Sequence, residues 1–517
     1  MAAIRQTLIY AMIFSSATTI GYDSGYLNGV LGAPDFIALY GKHDAADNSM
    51  YLTAYTRSTF SSLLVVGTIV GCIATSFVTQ LIGRRGCLVV AATSYAAGVA
   101  MQTAGPAAAV FILGRVLLGF ALGFISNTVP SYLMECSTAK NRGRFMGVYT
   151  LFLTSGNVIA CGISLGTSKY TDSRGWRITI GFQLFLAVTI FIGAMICPES
   201  PLVLAKRNKY DEARWALATL KNKEQDSKDV NMALEEIRHH LTEQAQHGDV
   251  NLMECFRGAE LRRTLLGTAM SFFTIATGIT FWFGYGTTFF LAAGINNSYL
   301  ISLILAITNC VSTVPSIYLI ERIGRRNSLL WGGAIMAITQ ILTGVIHSVA
   351  PDSSASKNML VAGAVIFIAA YAATWGMGGR SLRWLMMTEP FSNRLRVPQS
   401  AIVFVAYWTV TWLIGFVTPY MVDATAGDLG VNVAYIWLGM GILSILWAYL
   451  CVPEFAGLSS LESDLWKIDL LFEQNVPAWR SVAWQKRLRT INSIDISASG
   501  SQVVDEIKIE VGGEKGL

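Results

Sequence analysis

The chain is a succession of long apolar runs separated by short polar connections. About twelve runs are long enough to cross a hydrocarbon core of roughly 30 Å. They fall near Leu8–Leu31, Thr59–Gln80, Cys87–Ala104, Ala108–Pro130, Gly147–Gly166, Trp176–Cys197, Thr264–Phe290, Leu300–Ile320, Ser328–Ala350, Met359–Thr388, Gln399–Tyr420 and Val431–Val452. This pattern predicts an all-α integral membrane protein with twelve transmembrane helices. The first run is long and lacks a small-residue cleavage site, so it reads as a span rather than a signal peptide. Basic residues mark the inner side: Arg84 and Arg85 follow the second span, and Lys140, Arg142 and Arg144 the fourth. Arg322, Arg325 and Arg326 follow the eighth, and Arg394 and Arg396 the tenth. The positive-inside rule then places both termini in the cytoplasm.

Four segments result: an N-terminal half over 1–204, a cytoplasmic linker over 205–263, a C-terminal half over 264–452 and a cytoplasmic tail over 453–517. In the linker, Tyr210, Ala213, Leu217 and Leu220 recur at helical spacing, which suits a helix packed on the inner face. The tail is polar, with disorder expected from about Ile494 onward.

Composition narrows the function class. Hydrophobic residues make up 53% and charged residues 14%, against about a quarter charged in soluble domains. The net charge of +5 is dispersed over loops, so no nucleic-acid footprint is expected. His43, His239, His240, His247 and His347 show no metal spacing, and the eight cysteines suggest no disulfide framework. No nucleophile–base pair or phosphate loop stands out, which argues against an enzyme and predicts no cofactor.

Three signals occur twice in the same order. Gly-Arg-Arg appears at Gly83–Arg85 and, 241 residues on, at Gly324–Arg326. A glutamate seven residues before an arginine appears as Glu135/Arg142 and, 254 residues on, as Glu389/Arg396. Pro-Glu closes the sixth span at Pro198–Glu199 and the twelfth at Pro453–Glu454, 255 residues apart. Recurrence at cytoplasmic helix ends indicates two six-span halves, an organisation suited to alternating access around a central cavity. The charged residues at these ends, namely Arg84, Arg85, Glu135, Arg142, Glu199, Glu321, Arg325, Arg326, Glu389, Arg396 and Glu454, are the candidate gating set, expected to form a salt-bridged latch between the halves. Ordinary positive-inside charge is the competing explanation.

These residues, with Gly21-Tyr22-Asp23-Ser24-Gly25, Gly114-Arg115, Val129-Pro130, Pro198-Glu199-Ser200-Pro201, Tyr285-Gly286-Thr287-Thr288-Phe289-Phe290, Glu321-Arg322-Ile323-Gly324-Arg325-Arg326 and Thr418-Pro419, form an ordered set. In them the chain resembles the sugar porter family of the major facilitator superfamily, in particular its fungal branch, over nearly all of residues 8–472. The resemblance implies a major facilitator fold and alternating-access transport of a sugar, polyol or sugar acid. It also implies a bilayer-embedded monomer, most simply in the plasma membrane. An exporter of a small metabolite would use the same parts. A non-transporting nutrient sensor on the same fold is a further alternative, disfavoured by the short tail after the last span.

Within that frame, Asp23 is an acid inside an apolar span, where an isolated charge costs several kcal/mol. Proton-coupled members of the family use the matching aspartate as proton carrier against a fourth-span arginine, here Arg115. The resemblance so implies a proton-coupled carrier with protons as the second partner; a static ion pair that only staples two helices is the alternative. Trp384 and Asn309 match the family's stacking tryptophan and an amide ligand. Asn157, Thr280 and Tyr407 are the polar candidates at or near its other amide positions, and Gln80 and Leu202 replace charged residues of its inner network. Where the family has Gly-Pro, this chain reads Arg380-Ser381-Leu382-Arg383-Trp384. Arg380 would lie near mid-membrane on the face of Trp384, so it either receives an anionic group of the solute or pairs internally.

Overall fold

The computed structural model describes residues 2–43, 50–105, 107–136, 142–170, 172–246, 252–292, 297–349, 353–375, 390–392, 395–422, 426–455, 465–474 and 476–494. Their architecture is helical apart from one short antiparallel pair in the first outer loop, β1 (Lys42–His43) with β2 (Met50–Tyr51).

The N-terminal half consists of α1 (Ala2–Leu31), α2 (Pro34–Tyr40), α3 (Ala54–Ala104), α4 (Ala108–Cys136), α5 (Arg142–Thr167) and α6 (Arg174–Ile196). At 51 residues, α3 is far longer than one crossing needs. It is the second and third spans joined through a kink at Gly83 (φ 82°, ψ −177°). The linker folds as α7 (Pro201–Lys206), α8 (Tyr210–Lys221) and α9 (Lys228–Gln246), followed by a 3₁₀ turn over Leu252–Phe256. As its periodicity predicts, Ala213, Leu217 and Leu220 are buried. Leu220 joins the core of the N-terminal half, whereas Leu204, Ala216, Val230 and Leu234 form a small core of their own with Ala213 and Leu217.

The C-terminal half comprises α10 (Gly258–Ala276), α11 (Ile279–Ala292), α12 (Ser298–Ile323), α13 (Arg325–Val349), α14 (Ser354–Thr374), α15 (Arg396–Val422) and α16 (Val433–Cys451). The seventh span is therefore two helices broken at Thr277–Gly278. Among the described residues, nine helices are by themselves long and apolar enough to cross a membrane. Counting α3 twice and adding α1 and the α10–α11 pair accounts for twelve crossings. The outward faces are apolar, as lipid requires: on α6, Phe185, Val188, Phe191, Ile192 and Met195 are all exposed. Each half has its own core, one built around Tyr22, Tyr95, Phe124 and Trp176, the other around Phe290, Phe367, Trp375 and Trp437.

One feature of the tail departs from the expectation of a merely polar segment. Two helices, α17 (Leu465–Glu473) and α18 (Ser481–Ile494), fold back on the C-terminal half and bury Ile468, Leu471, Phe472 and Leu488 in its core. Apolar residues at helical spacing carry this signal, beneath an overall polar composition. The expected disorder beyond Ile494 falls outside the described residues.

Candidate transport path and gates

Asp23 lies eight residues from the outer end of α1, and Arg115 seven from the outer end of α4. At 1.5 Å per residue both sit roughly 10–12 Å in from those helix ends. The helices bring them together: Arg115 Nη1 donates to Asp23 Oδ1 at 3.1 Å, with the two side chains 3% and 7% exposed. The same guanidinium donates to Tyr26 Oη (2.8 Å) and, through Nε, to the Phe60 carbonyl (2.9 Å). Tyr26 in turn donates to Gln102 Oε1 (2.8 Å). A planar donor fork with several partners is what a desolvated arginine needs, because each unpaired polar atom there costs about 1–3 kcal/mol. Tyr26 and Gln102 were not among the sequence candidates. The readable signal was Tyr26 one helical turn beyond Asp23.

The other solute candidates are distributed differently. Asn157 is buried, but its Nδ2 donates to Ser24 Oγ (3.1 Å) and its Oδ1 accepts from Cys161 Sγ (3.3 Å). Its amide therefore ties α5 to α1. Asn309 is also buried, and its side chain makes no hydrogen bond to the described residues. Thr280 sits in the first turn of α11, beside the break in the seventh span. The Tyr407 ring is buried and packs edge-on to Trp408, with centroids 5.3 Å apart. Trp408 touches both cores, and Trp412, one turn on, packs against the N-terminal core with a buried Nε1 that finds no partner among the described residues. These two tryptophans line the seam between the halves, and Trp412 escaped the sequence reading. Arg380, Trp384 and Glu389 lie outside the described residues.

The inner ends explain why the repeated motifs recur together. In the N-terminal half, Glu199 accepts from the backbone N–H of Arg84 (2.7 Å) and Arg85 (3.2 Å). In the C-terminal half, Glu454 accepts from the N–H of Arg325 (2.8 Å) and Arg326 (3.0 Å). Glycine precedes each pair because φ is positive at Gly83 (82°) and Gly324 (89°), and because a Cβ would stand 2.2 Å and 2.6 Å from the respective carboxylates. Gly-Arg-Arg and Pro-Glu are thus two parts of one device, a carboxylate seated on two backbone amides at a helix start. Arg84 adds a salt bridge to Glu135 (2.8 Å), which also accepts from Ser200 Oγ. Arg85 donates to the carbonyls of Ala194 and Met195, and Arg326 to that of Tyr449. These inner contacts lie within a half. The side chains of Arg142, Glu321 and Arg396 are outside the described set.

Bonds between the halves lie elsewhere. Near the Leu31 end of α1, with the Asn28 amide assigned so that its oxygen faces the backbone donors, that oxygen accepts from the N–H of Gly286 (3.1 Å) and Thr287 (3.0 Å). Tyr299 Oη donates to the Gly29 carbonyl (3.0 Å), and Ser58 Oγ to the Phe416 carbonyl (2.6 Å). These three lie toward one end of the first, second, seventh, eighth and eleventh spans, and a weaker contact of Ser155 Oγ with Cys310 Sγ (3.7 Å) joins α5 and α12 near mid-span. At that end of the molecule the two halves are joined by hydrogen bonds.

Comparison with known proteins agrees with this architecture. The family model described as "Sugar (and other) transporter" matches residues 8–464. The chain is 29% identical to the high glucose sensor RGT2 of Saccharomyces cerevisiae over 94% of its own length and 63% of that protein, so it spans under two thirds of that relative. It is 30% identical to the major facilitator-type transporter ecdD of Aspergillus rugulosus, over 93% of this chain and 90% of that one. Among solved structures, the inward open conformation of the xylose transporter XylE from E. coli superposes with a TM-score of 0.71 at 20% identity, covering 90% of this chain and 99% of that chain. A second XylE structure, the proton:xylose symporter bound to 6-bromo-6-deoxy-D-glucose, superposes with a TM-score of 0.71 at 21% identity over 91% and 100% of the two chains. These superpositions give the chain the major facilitator fold.

Proposed function

Since the chain belongs to the sugar transporter family of the major facilitator superfamily, we propose that it is a proton-coupled carrier of a sugar-like solute, with Asp23 as the proton site. The family and its structural neighbours are transporters rather than enzymes. The observation that carries the coupling is the buried Asp23–Arg115 pair at 3.1 Å. A carboxylate held in low dielectric by one cation keeps its charge while that cation is in place, and takes up a proton when the cation moves off. Arg115 contacts α1 and α3 together, so a shift of either helix alters the contact. Solute-driven rearrangement of these spans thereby changes the affinity of Asp23 for a proton. That the structural neighbour is described as a proton:xylose symporter supports this reading.

For the solute we propose a ring stacked on Trp384 and hydrogen-bonded by Asn309, with Thr280 and Tyr407 nearby and Arg380 facing an anionic group where the solute is a sugar acid. Asn157 serves α1–α5 packing in this conformation and would reach a solute only after those helices part. The inner charged residues, including Glu389, Arg396, Arg142 and Glu321, would close the cytoplasmic side in the outward-facing state. A monomer in the plasma membrane with cytoplasmic termini completes the proposal.

Uptake into transport-deficient cells, across neutral sugars, polyols and sugar acids at two pH values, tests it. Uptake that rises with the inward proton gradient supports symport. Gradient-independent uptake leaves a uniporter. Solute binding without uptake would favour the sensor reading, which the likeness to a high glucose sensor keeps in play.

A further inference from the structure

We propose that the exposed face of α18 is a docking surface for anionic phospholipid headgroups of the cytoplasmic leaflet. Its position comes first. Ser481 Oγ accepts from the backbone N–H of Glu454 (2.9 Å), and Gln485 Nε2 donates to the Glu454 carbonyl. Glu454 lies three residues past Cys451, the last residue of the 19-residue α16. At 1.5 Å per residue α16 covers about 28 Å, close to the hydrocarbon thickness. The start of α18 is therefore fixed at the inner edge of the bilayer.

The faces of the helix come second. Ser481, Trp484, Gln485 and Leu488 are buried against the protein, the i, i+3, i+4, i+7 spacing of one helical stripe. The opposite side shows Val482, Lys486 and Arg487 to the surroundings, continued by Trp479 (50% exposed) and Arg480. Residues 474–494 contain no aspartate or glutamate. Basic side chains beside an exposed tryptophan and valine suit an interface in which the apolar groups enter the acyl boundary and the cations meet phosphates. The cytoplasmic leaflet supplies the complementary charge, and each basic residue near it contributes about fivefold to binding. A lipid-bound α18 would hold Glu454, and through it the Arg325–Arg326 turn, against the leaflet.

Thermal melting of the full chain in detergent, titrated with phosphatidylserine or phosphatidylcholine, tests this without any transport readout. Its outcome is therefore independent of the carrier proposal. Phosphatidylserine should raise the melting midpoint and phosphatidylcholine should not. For Lys486→Gln/Arg487→Gln the lipid response is read against that variant's own lipid-free melting midpoint. The phosphatidylserine concentration giving half the effect should rise by at least about tenfold. Trp479→Ala should weaken the response without changing its preference for the anionic lipid. Equal phosphatidylserine responses in parent and double variant would overturn the proposal. So would an equal shift with inorganic phosphate, or no phosphatidylserine effect at all, which would leave the face to a cytosolic protein.

Discussion

Asp23→Asn separates proton coupling from a structural ion pair. In the parent, the carboxylate and guanidinium are both nearly fully buried at 3.1 Å. Neutralising Asp23 leaves the Arg115 charge, among the described residues, with the Tyr26 hydroxyl and the Phe60 carbonyl. Losing one member of such a pair costs about 3–5 kcal/mol in folded proteins, so Asp23→Asn should melt well below the parent. Replacing Arg115 by glutamine in the same chain should recover part of that loss. Those results follow from either role. The gradient decides between them. One pH unit corresponds to about 1.36 kcal/mol, a factor of ten in concentration. A carrier moving one proton with each solute should therefore accumulate solute about tenfold per unit of pH difference across a proteoliposome. Asp23→Asn should equilibrate solute at a ratio near one and still exchange labelled for unlabelled solute. If it accumulates solute with the parent's slope against pH difference, Asp23 is a helix staple and the coupling assignment is wrong.

Tyr299→Phe tests the outer seam. It removes the 3.0 Å bond to the Gly29 carbonyl, a loss of about 0.5–1.5 kcal/mol that shifts an equilibrium by roughly two- to twelvefold. An impermeant thiol reagent added outside should then label Thr287→Cys faster in the Tyr299→Phe background, and unchanged labelling would count against a closed outer gate here. Gly83→Ala should destabilise by at least about 1–3 kcal/mol, since its φ and ψ are open essentially to glycine alone. Glu199→Gln should cost less, and melting in detergent ranks the two. Asp469→Asn removes the 2.7 Å partner of buried Arg263. It should expose the segment between α16 and α18 to protease, whereas a parent-like digestion pattern would mean the tail is not held there. Arg380→Ala should abolish any preference for a sugar acid over its neutral analogue, measured by competition and normalised to protein at the membrane. Loss of abundance alone would point to an internal pair instead.

The spans were legible because lipid imposes one rule on every crossing: about twenty apolar residues with their backbone bonds satisfied internally. The division into second and third spans was legible too, since Gly83 lies between two apolar runs and opens a basic motif; that the chain passes between them as a kinked helix was not. What composition concealed was local. The tail helices are polar on average, so only the spacing of Ile468, Leu471, Phe472, Trp484 and Leu488 marks them. The partners of Arg115 were half readable: Asp23 stands out as a charge in lipid, whereas Tyr26 and Gln102 look like ordinary interior residues until three helices bring them together. Pairing the repeated motifs required the fold, because 114 residues separate Arg85 from Glu199. Their recurrence in order was visible. That each carboxylate seats on the other motif's backbone was not.

The placement of strong and weak bonds bears on how such a molecule moves. Within each half, the inner end is closed by charged groups: carboxylates on backbone amides at Glu199 and Glu454, and the Arg84–Glu135 bridge. Bonds of that kind contribute about 1.5–3 kcal/mol each. Across the halves, the outer seam is held by neutral bonds at Asn28, Tyr299 and Ser58, each contributing about 0.5–1.5 kcal/mol. The seam's polar contacts thus amount to only a few kcal/mol, within reach of the binding energy of a small solute at millimolar to micromolar affinity. The halves should therefore part at the outer seam before either deforms internally. A ligand that binds the two arrangements with different affinity then selects between them.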